Sequence, residues 1–507
     1  MKNILIYVTV FVAGSSVLCL EILGTRILAP YFGASIYVWT ALISVTLLSL
    51  SLGYFIGGIL ADRKLSFTVL SYLLTAAGLS ILLVPLISGF VIGIIRSLEL
   101  RLAVIASAFL LFVLPLTLLG AVSPYVIKLR AGSMENVGRS AGTLYSVSTI
   151  GSVIAAVLTG YILVPEIGIS NLMFLTGIII LLTAVLNILY EKTFRQSLAF
   201  LTFLIIAAFL LTLLNIGLAK NSSTQIVDTM QSPYGEISIV DEADARLLLI
   251  DGAVHSAVDL STQEPLYAYI DVMNLAADFF ESPGNLLLIG LGGGGIARNY
   301  YAKGWLVESV EIDPVVVDAA YNYFGLKDYE TDIYTGDGRE YLYRTDNEYD
   351  LIILDAYGSS TIPFHLISKE VFALMKSRLI EGGKVAINVQ SIGWRSEIVN
   401  TISATLASAF SNVLVLPIAE PPNKLGNLVI VASDSKIELA RELPAIKSRF
   451  SSDYNRAHAW DNRFTPDVTG YKVLTDNLNN IDVLSESVSL ASRKANLEYF
   501  MNLGLVK

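Results

Sequence analysis

Two patterns of apolar and polar positions divide this chain of 507 residues. Through about residue 220, nearly uninterrupted apolar runs recur at 4–25, 36–60, 68–95, 102–127, 141–164, 169–190 and 196–218. Each approaches the roughly 20 residues that carry a helix across a bilayer core, and together they predict about seven membrane helices. The first run is too long and too poorly flanked for a cleaved signal, and further runs follow it. Gly53 and Gly57, four apart, predict close approach of two helix backbones.

After Lys220 the period shortens. Residues 235–240 and 246–250, separated by acids and followed by Asp251 and Gly252, predict antiparallel strands of a small β subdomain. Strands and helices then alternate: strand 286–290, helix 296–303, strand 306–312, helix 314–323, strand 350–355, helix 368–380, strand 383–389. Such alternation predicts a mostly parallel sheet with helices on both faces. The expected division is a membrane domain at 1–220, the β subdomain at 221–283, an α/β Rossmann-like domain at 284–440 and a helical or irregular extension at 441–507.

Charge sharpens the contrast between the two halves. Residues 1–220 hold 12 Lys/Arg and 6 Asp/Glu, against 22 and 38 in the remainder, so net charges of +6 and −16 make up the total of −10. An acidic soluble half argues against nucleic acid, which requires a concentrated Lys/Arg surface. The single cysteine, Cys19, excludes an intrachain disulfide and any Cys-built metal site. Loop cations (Lys2, Arg63, Lys64, Lys128, Arg130, Arg139, Lys192 and Arg195) cluster on the N-terminal side and place that end in the cytoplasm. Seven crossings would then put the soluble half on the opposite side. Either one segment does not cross fully, Pro85 making the third the suspect, or the charge rule fails here, and the soluble half is expected in the cytoplasm.

The chemistry gathers at predicted strand ends. Gly290, Gly292, Gly293, Gly294 and Gly295 join a strand to a helix, so backbone can approach a ligand closely. Glu311 ends the next strand, where an acid accepts hydrogen bonds from two ribose hydroxyls. The loop alone would also serve NAD. Asp337, as acceptor at an adenine edge, and Asp355, closing a further strand, favour an adenosyl-sulfonium site instead. His255, His365 and His458 are not clustered with acids, so no metal is expected.

Over about 231–390 the chain resembles the spermidine synthase (polyamine aminopropyltransferase) family, in particular members fused to an N-terminal multi-span region. The motifs are Gln231-Ser232-Pro233-Tyr234-Gly235, Ile250-Asp251-Gly252, the glycine loop, Val310-Glu311-Ile312-Asp313, Gly336-Asp337-Gly338-Arg339 and 349–355, with Lys472-Val473-Leu474-Thr475-Asp476 resembling a tail of the fused group. The resemblance implies a class I methyltransferase-like fold. It implies decarboxylated S-adenosylmethionine (or the intact form) as co-substrate, with no metal, and a small-molecule amine as acceptor. Gln231, Gly292, Gly293, Gly294, Glu311, Asp337 and Gly338 would hold the nucleoside, and Asp355 would accept the amine's proton. Tyr267, His255, Tyr357 and Pro363 are candidates on the acceptor side, although a plain polar contact is the commoner role for such a histidine. The expected setting is a multi-pass protein in the bilayer with a cytoplasmic catalytic domain, a homodimer being left open.

Departures from the family concern the acceptor. Gly295 stands at the acid of the family's GGGDG loop, Tyr267-Ala268-Tyr269 replaces Tyr-His-Glu, and Gly358 and Ser359 replace the second Asp and the Pro of Asp-x-x-Asp-Pro. Two other readings stay open: a methyltransferase using intact S-adenosylmethionine, and a transporter or nucleoside-sensing membrane protein that binds without catalysis.

Overall fold

The structure is a computed structural model that describes residues 2–32, 36–95, 98–131, 137–191, 225–329, 332–358, 362–418, 422–444, 446, 448 and 451–503. It divides into two compact units, 1–222 with 501–507, and 223–500.

The first unit is helical. Its long helices are α1 (Lys2–Phe32), α2 (Ile36–Arg63), α3 (Phe67–Ile95), α4 (Leu100–Ala131), α5 (Val137–Leu158), which continues as a wider turn over Thr159–Leu163, and α6 (Ile169–Glu191). These correspond to six spans long and apolar enough to cross a membrane. The seventh expected run, 196–218, lies outside the described residues. α3 continues unbroken past Pro85, so the incomplete third crossing expected there has no break to support it. Gly53 and Gly57 pack against α4: a Cβ on either would collide with the carbonyl oxygens of Thr117 and Ala121 respectively. Within the bundle the Asn187 amide nitrogen donates to Thr9 Oγ1 (2.9 Å) and to Thr183 O (2.8 Å). The outer face is apolar, with Phe55, Phe90, Leu110 and Tyr161 exposed.

The second unit opens with a four-stranded antiparallel sheet in the order β1-β2-β3-β4: β1 (Gln225–Gln231), β2 (Glu236–Glu242), β3 (Ala245–Ile250) and β4 (Ala253–Asp259). After α7 (Ala268–Asn274) comes the α/β core: β5 (Asn285–Ile289), α8 (Gly295–Ala302), β6 (Leu306–Glu311), α9 (Pro314–Tyr323), β7 (Asp332–Thr335), α10 (Gly338–Arg344), β8 (Tyr349–Leu354), α11 (Lys369–Ser377), β9 (Leu379–Ile392), α12 (Glu397–Ala407), β10 (Asn412–Pro417) and β11 (Leu425–Ser433). α13 (Ser452–Asp461) and α14 (Glu486–Leu503) follow.

The large sheet has the order β10-β11-β9-β8-β5-β6-β7. From β9 through β7 neighbouring strands are parallel, and β11 is antiparallel to both β9 and β10. Alternate residues of β5 serve opposite cores, because side chains along a strand alternate in direction. Leu287 and Ile289 pack with Phe372, while Leu286 and Leu288 pack with Ile296 and Tyr300. Burial on both faces explains the uninterrupted apolar runs of β5 and β8. The small sheet covers α9, as Ile237, Ile239 and Leu248 join Val316, Ala319 and Phe324.

Candidate active site

β5 lies between β6 and β8, and the chain leaves it first toward β6 and later returns on the β8 side. That reversal opens a crevice beyond the carboxyl ends of the strands, where ligands bind in such sheets. The Gly290 loop, Glu311, Asp355 and Asn388 all fall there.

Gly290 has φ +94°, and a Cβ would collide with the Asp355 carbonyl, so the β5 turn and the β8 end can approach only through glycine. Gly292, Gly293 and Gly294 complete the turn into α8, and the Gly293 N–H donates to Ser256 Oγ of β4 (2.8 Å). Glu311 is buried beneath this loop: it accepts from Leu291 N–H (3.0 Å) and Asp313 N–H (3.1 Å). Burial pushes its carboxyl above the usual range and these donors oppose the shift. Each of its oxygens keeps further acceptor capacity for a ligand hydroxyl. Asp313 accepts from Ser232 Oγ (2.6 Å) and caps α9 through Val315 N–H (2.9 Å). The Gln231 side chain, at the end of β1, donates to Glu236 (2.6 Å).

Asp337 caps α10, accepting from the N–H groups of Arg339 (3.0 Å) and Glu340 (2.9 Å) on one oxygen. Its other oxygen lies 2.7 Å from His365 Nε2, and this contact holds the carboxyl below the usual range. Gly338 lies against Ile289, leaving no room for a Cβ.

Asp355 follows β8, its N–H donating to Ile289 O (2.8 Å). Its carboxylate accepts from the Tyr269 hydroxyl (3.0 Å) and the Asn388 amide (2.8 Å). Burial raises its pKa to about 6, against the lowering effect of those two donors. Asn388 accepts in turn from Asn427 (2.9 Å), which fixes the amide so that its NH₂ faces Asp355.

Tyr267, expected on the acceptor side, has its ring centroid 6.1 Å from that of Tyr269, and burial pushes its phenol up to about 12. The Tyr357 hydroxyl donates to Asn388 O (3.1 Å) and accepts from Gln390 N–H (2.8 Å), stapling the loop after Asp355 to β9. His255 is half-buried on β4, and burial, aided by Arg493, lowers its pKa to about 4. Pro363 opens a helical turn over Phe364–Leu366, with Leu366 N–H donating to its carbonyl (2.9 Å). Ser359 lies outside the described residues. Among the described residues no group of three or more His, Cys, Asp or Glu side chains could hold a metal ion.

Residues 268–441 match the family described as "Spermine/spermidine synthase domain". A polyamine aminopropyltransferase of Vibrio vulnificus is 30% identical over 220 residues, covering 41% of this chain and 71% of that one. The chain belongs to the spermidine synthase family. A probable polyamine aminopropyl transferase of Bifidobacterium longum is 34% identical over 159 residues, which span only 35% of that protein. The match to polyamine aminopropyltransferase 2 of Aquifex aeolicus is 23% identical over 402 residues, 75% of this chain and 78% of that one. A match of that length cannot fit within 223–500 alone and extends into the helical unit.

Within this family frame, the structure gathers around Asp355 partners that sequence reading did not assign. Asn388 and Asn427 left a signal: Asn388 interrupts the apolar stretch 385–389 of β9, and Asn427 stands just before the apolar stretch 428–432 of β11. Tyr269 was visible only as a departure from the family pattern. Asp476 of the tail motif forms a bidentate pair with Arg339 (2.8 and 2.5 Å) and accepts from Ser368 Oγ (2.7 Å), which ties the tail to α10 and α11.

Proposed function

We propose that this chain is a membrane-anchored aminopropyltransferase that moves the aminopropyl group of decarboxylated S-adenosylmethionine to an amine. The observation that carries this reading is Asp355, a carboxylate that follows β8 beside the glycine turn, held by Tyr269 and Asn388, with its pKa raised by burial to about 6. A sulfonium carbon is attacked only by an unprotonated amine, so the acceptor must lose a proton. A carboxylate with a raised pKa is a better base and is still ionised at neutral pH. In this reading Glu311, under the loop, accepts from the ribose hydroxyls, and Asp337 and Gly338 meet the base. Membrane anchoring is supported by the apolar outer face and span-length helices of the first unit.

The test is release of methylthioadenosine by the full-length protein supplied with decarboxylated S-adenosylmethionine and amines. Asp355→Asn should lower kcat by about 10²–10⁴-fold, the usual contribution of a positioned base, with donor affinity nearly unchanged. Turnover that survives this substitution would remove Asp355 from the chemistry. Binding of intact S-adenosylmethionine alone would favour a methyltransferase.

A further inference from the structure

We infer that Asn427 is a positioning residue: through the Asn388 amide it keeps a fixed donor on Asp355 Oδ1 and leaves Oδ2 as the oxygen that takes the amine's proton; this rests on the aminopropyl-transfer reading above. β11 runs antiparallel to β9 with Asn427 opposite Gln390, so Asn427 lies diagonally beside Asn388 on the same face of the sheet. Its NH₂ donates to Asn388 Oδ1 (2.9 Å), and the Asn388 NH₂ donates to Asp355 Oδ1 (2.8 Å). The Asn388 backbone is held as well, its carbonyl accepting from the Tyr357 hydroxyl (3.1 Å).

The two protonation states of Asp355 ask for opposite faces of the Asn388 amide. An ionised carboxylate only accepts, so it requires the NH₂, whereas a protonated Oδ1 would donate and would require the amide carbonyl. Turning that carbonyl toward Asp355 would set the Asn388 NH₂ against the Asn427 NH₂, donor against donor. Asn388 is buried, so water could not relieve the mismatch. Oδ2 is different, because its partner is the Tyr269 hydroxyl (3.0 Å), which rotates about its C–O bond and changes from donor to acceptor. In the reaction the amine lone pair forms the C–N bond at the propyl carbon, the C–S bond breaks with its electron pair going to sulfur, and the amine proton passes to Oδ2. Burial favours the protonated acid and the Asn388 donor opposes it, so a change in the orientation of that donor acts directly on proton affinity. Among the described residues the titratable groups facing Asp355 are the phenols of Tyr269 on α7 and Tyr357 after β8, and burial with the Asp355 charge holds both above the usual phenol range. Neither phenol changes charge on the acid side of neutrality.

The test is the pH dependence of methylthioadenosine release by the full-length protein supplied with decarboxylated S-adenosylmethionine and 1,4-diaminobutane, with nucleoside affinity as the check that each variant is folded. Asn427→Leu removes the donor, frees the Asn388 amide to turn, and should move the acid limb of kcat/KM up by about one pH unit. Activity is then expected to be about tenfold lower at pH 5.5 and within about twofold of wild type at pH 8.5. Asn427→Asp, nearly the same in shape, sets a second acceptor against Asn388 and should move the limb further. In an Asn388→Leu background Asn427→Leu should add no shift, because the connection is already cut. A limb that neither single substitution moves, or an equal shift with and without Asn388, overturns the inference while leaving aminopropyl transfer intact. Infrared titration of the Asp355 carboxyl, assigned by its loss in Asp355→Asn, should show the same upward shift without turnover, and a proton affinity equal to that of the wild type overturns the inference whatever the activity. No product from this or any other simple amine, with the nucleoside still bound, overturns the parent reading and the proton-accepting role of Oδ2 with it.

Discussion

Asp355 sits where a carboxylate is costly, and two neutral donors hold it there. Its pKa rises from 3.8 to about 6 on folding, so the folded chain binds this proton more tightly than the unfolded one. The associated stability is present below about pH 4 and is lost as pH rises through 6, a swing of about 3 kcal/mol at most. The ionised form that the proposed proton transfer requires is thus the less stable form. The acid limb of kcat/KM should fall near pH 6 in the wild type. Tyr269→Phe removes one donor to the carboxylate and should move that limb upward, with lower activity at pH 6 and largely retained activity at pH 8. A limb that stays in place would show that Tyr269 does not act on Asp355. The residue at 355 was legible in the sequence because an acid closing an apolar strand has a defined place in a parallel sheet. Tyr269 was not, because a tyrosine on a short helix reads as ordinary packing.

At the scale of elements, the parallel strands were legible from their apolar runs, and the observed β5, α8, β6, α9 and β8 lie within a residue of expectation at each end. β10, β11 and the four-stranded completion of the small sheet were less so, since short apolar runs do not distinguish strand from buried helix. The tail offers the clearest test of how elements cooperate. Asp476 joins Arg339 on α10 to Ser368 at the start of α11, and Asn479 donates to the carbonyls of Phe364 (2.9 Å) and Ile367 (2.7 Å). The Arg339 pair lowers the Asp476 pKa to about 2, so this contribution is present above about pH 4 and is lost as pH falls toward 2. Asp476→Ala should cost about 1 kcal/mol, the scale of a half-exposed bidentate pair. It should also raise KM for the nucleoside several-fold, because the turn that carries His365 against Asp337 loses its anchor. Isothermal titration of the nucleoside would measure this, and unchanged affinity would confine the tail to a stabilising role.

The whole molecule joins two different materials. A helical unit with a mostly apolar exterior precedes an acidic α/β unit, and the protein should remain with membranes after alkaline carbonate extraction while detergent releases it. Release by carbonate alone would exclude a spanning arrangement. By itself the sequence determined the kinds of element, the contrast between a lipid-suited and an α/β half, and the family resemblance. Those depend on periodicity and on acids at strand ends, which are local properties of the chain. Only the tertiary structure decided what surrounds the reacting groups. Tyr269 and Asn388 lie 86 and 33 residues from Asp355, and Asp476 lies 137 from Arg339. Contacts at such separations are set by strand order and by how the chain returns across the sheet. No spacing along the sequence records that order, so the strand-end acids could be read from the residues while the partners around Asp355 had to be read from the fold.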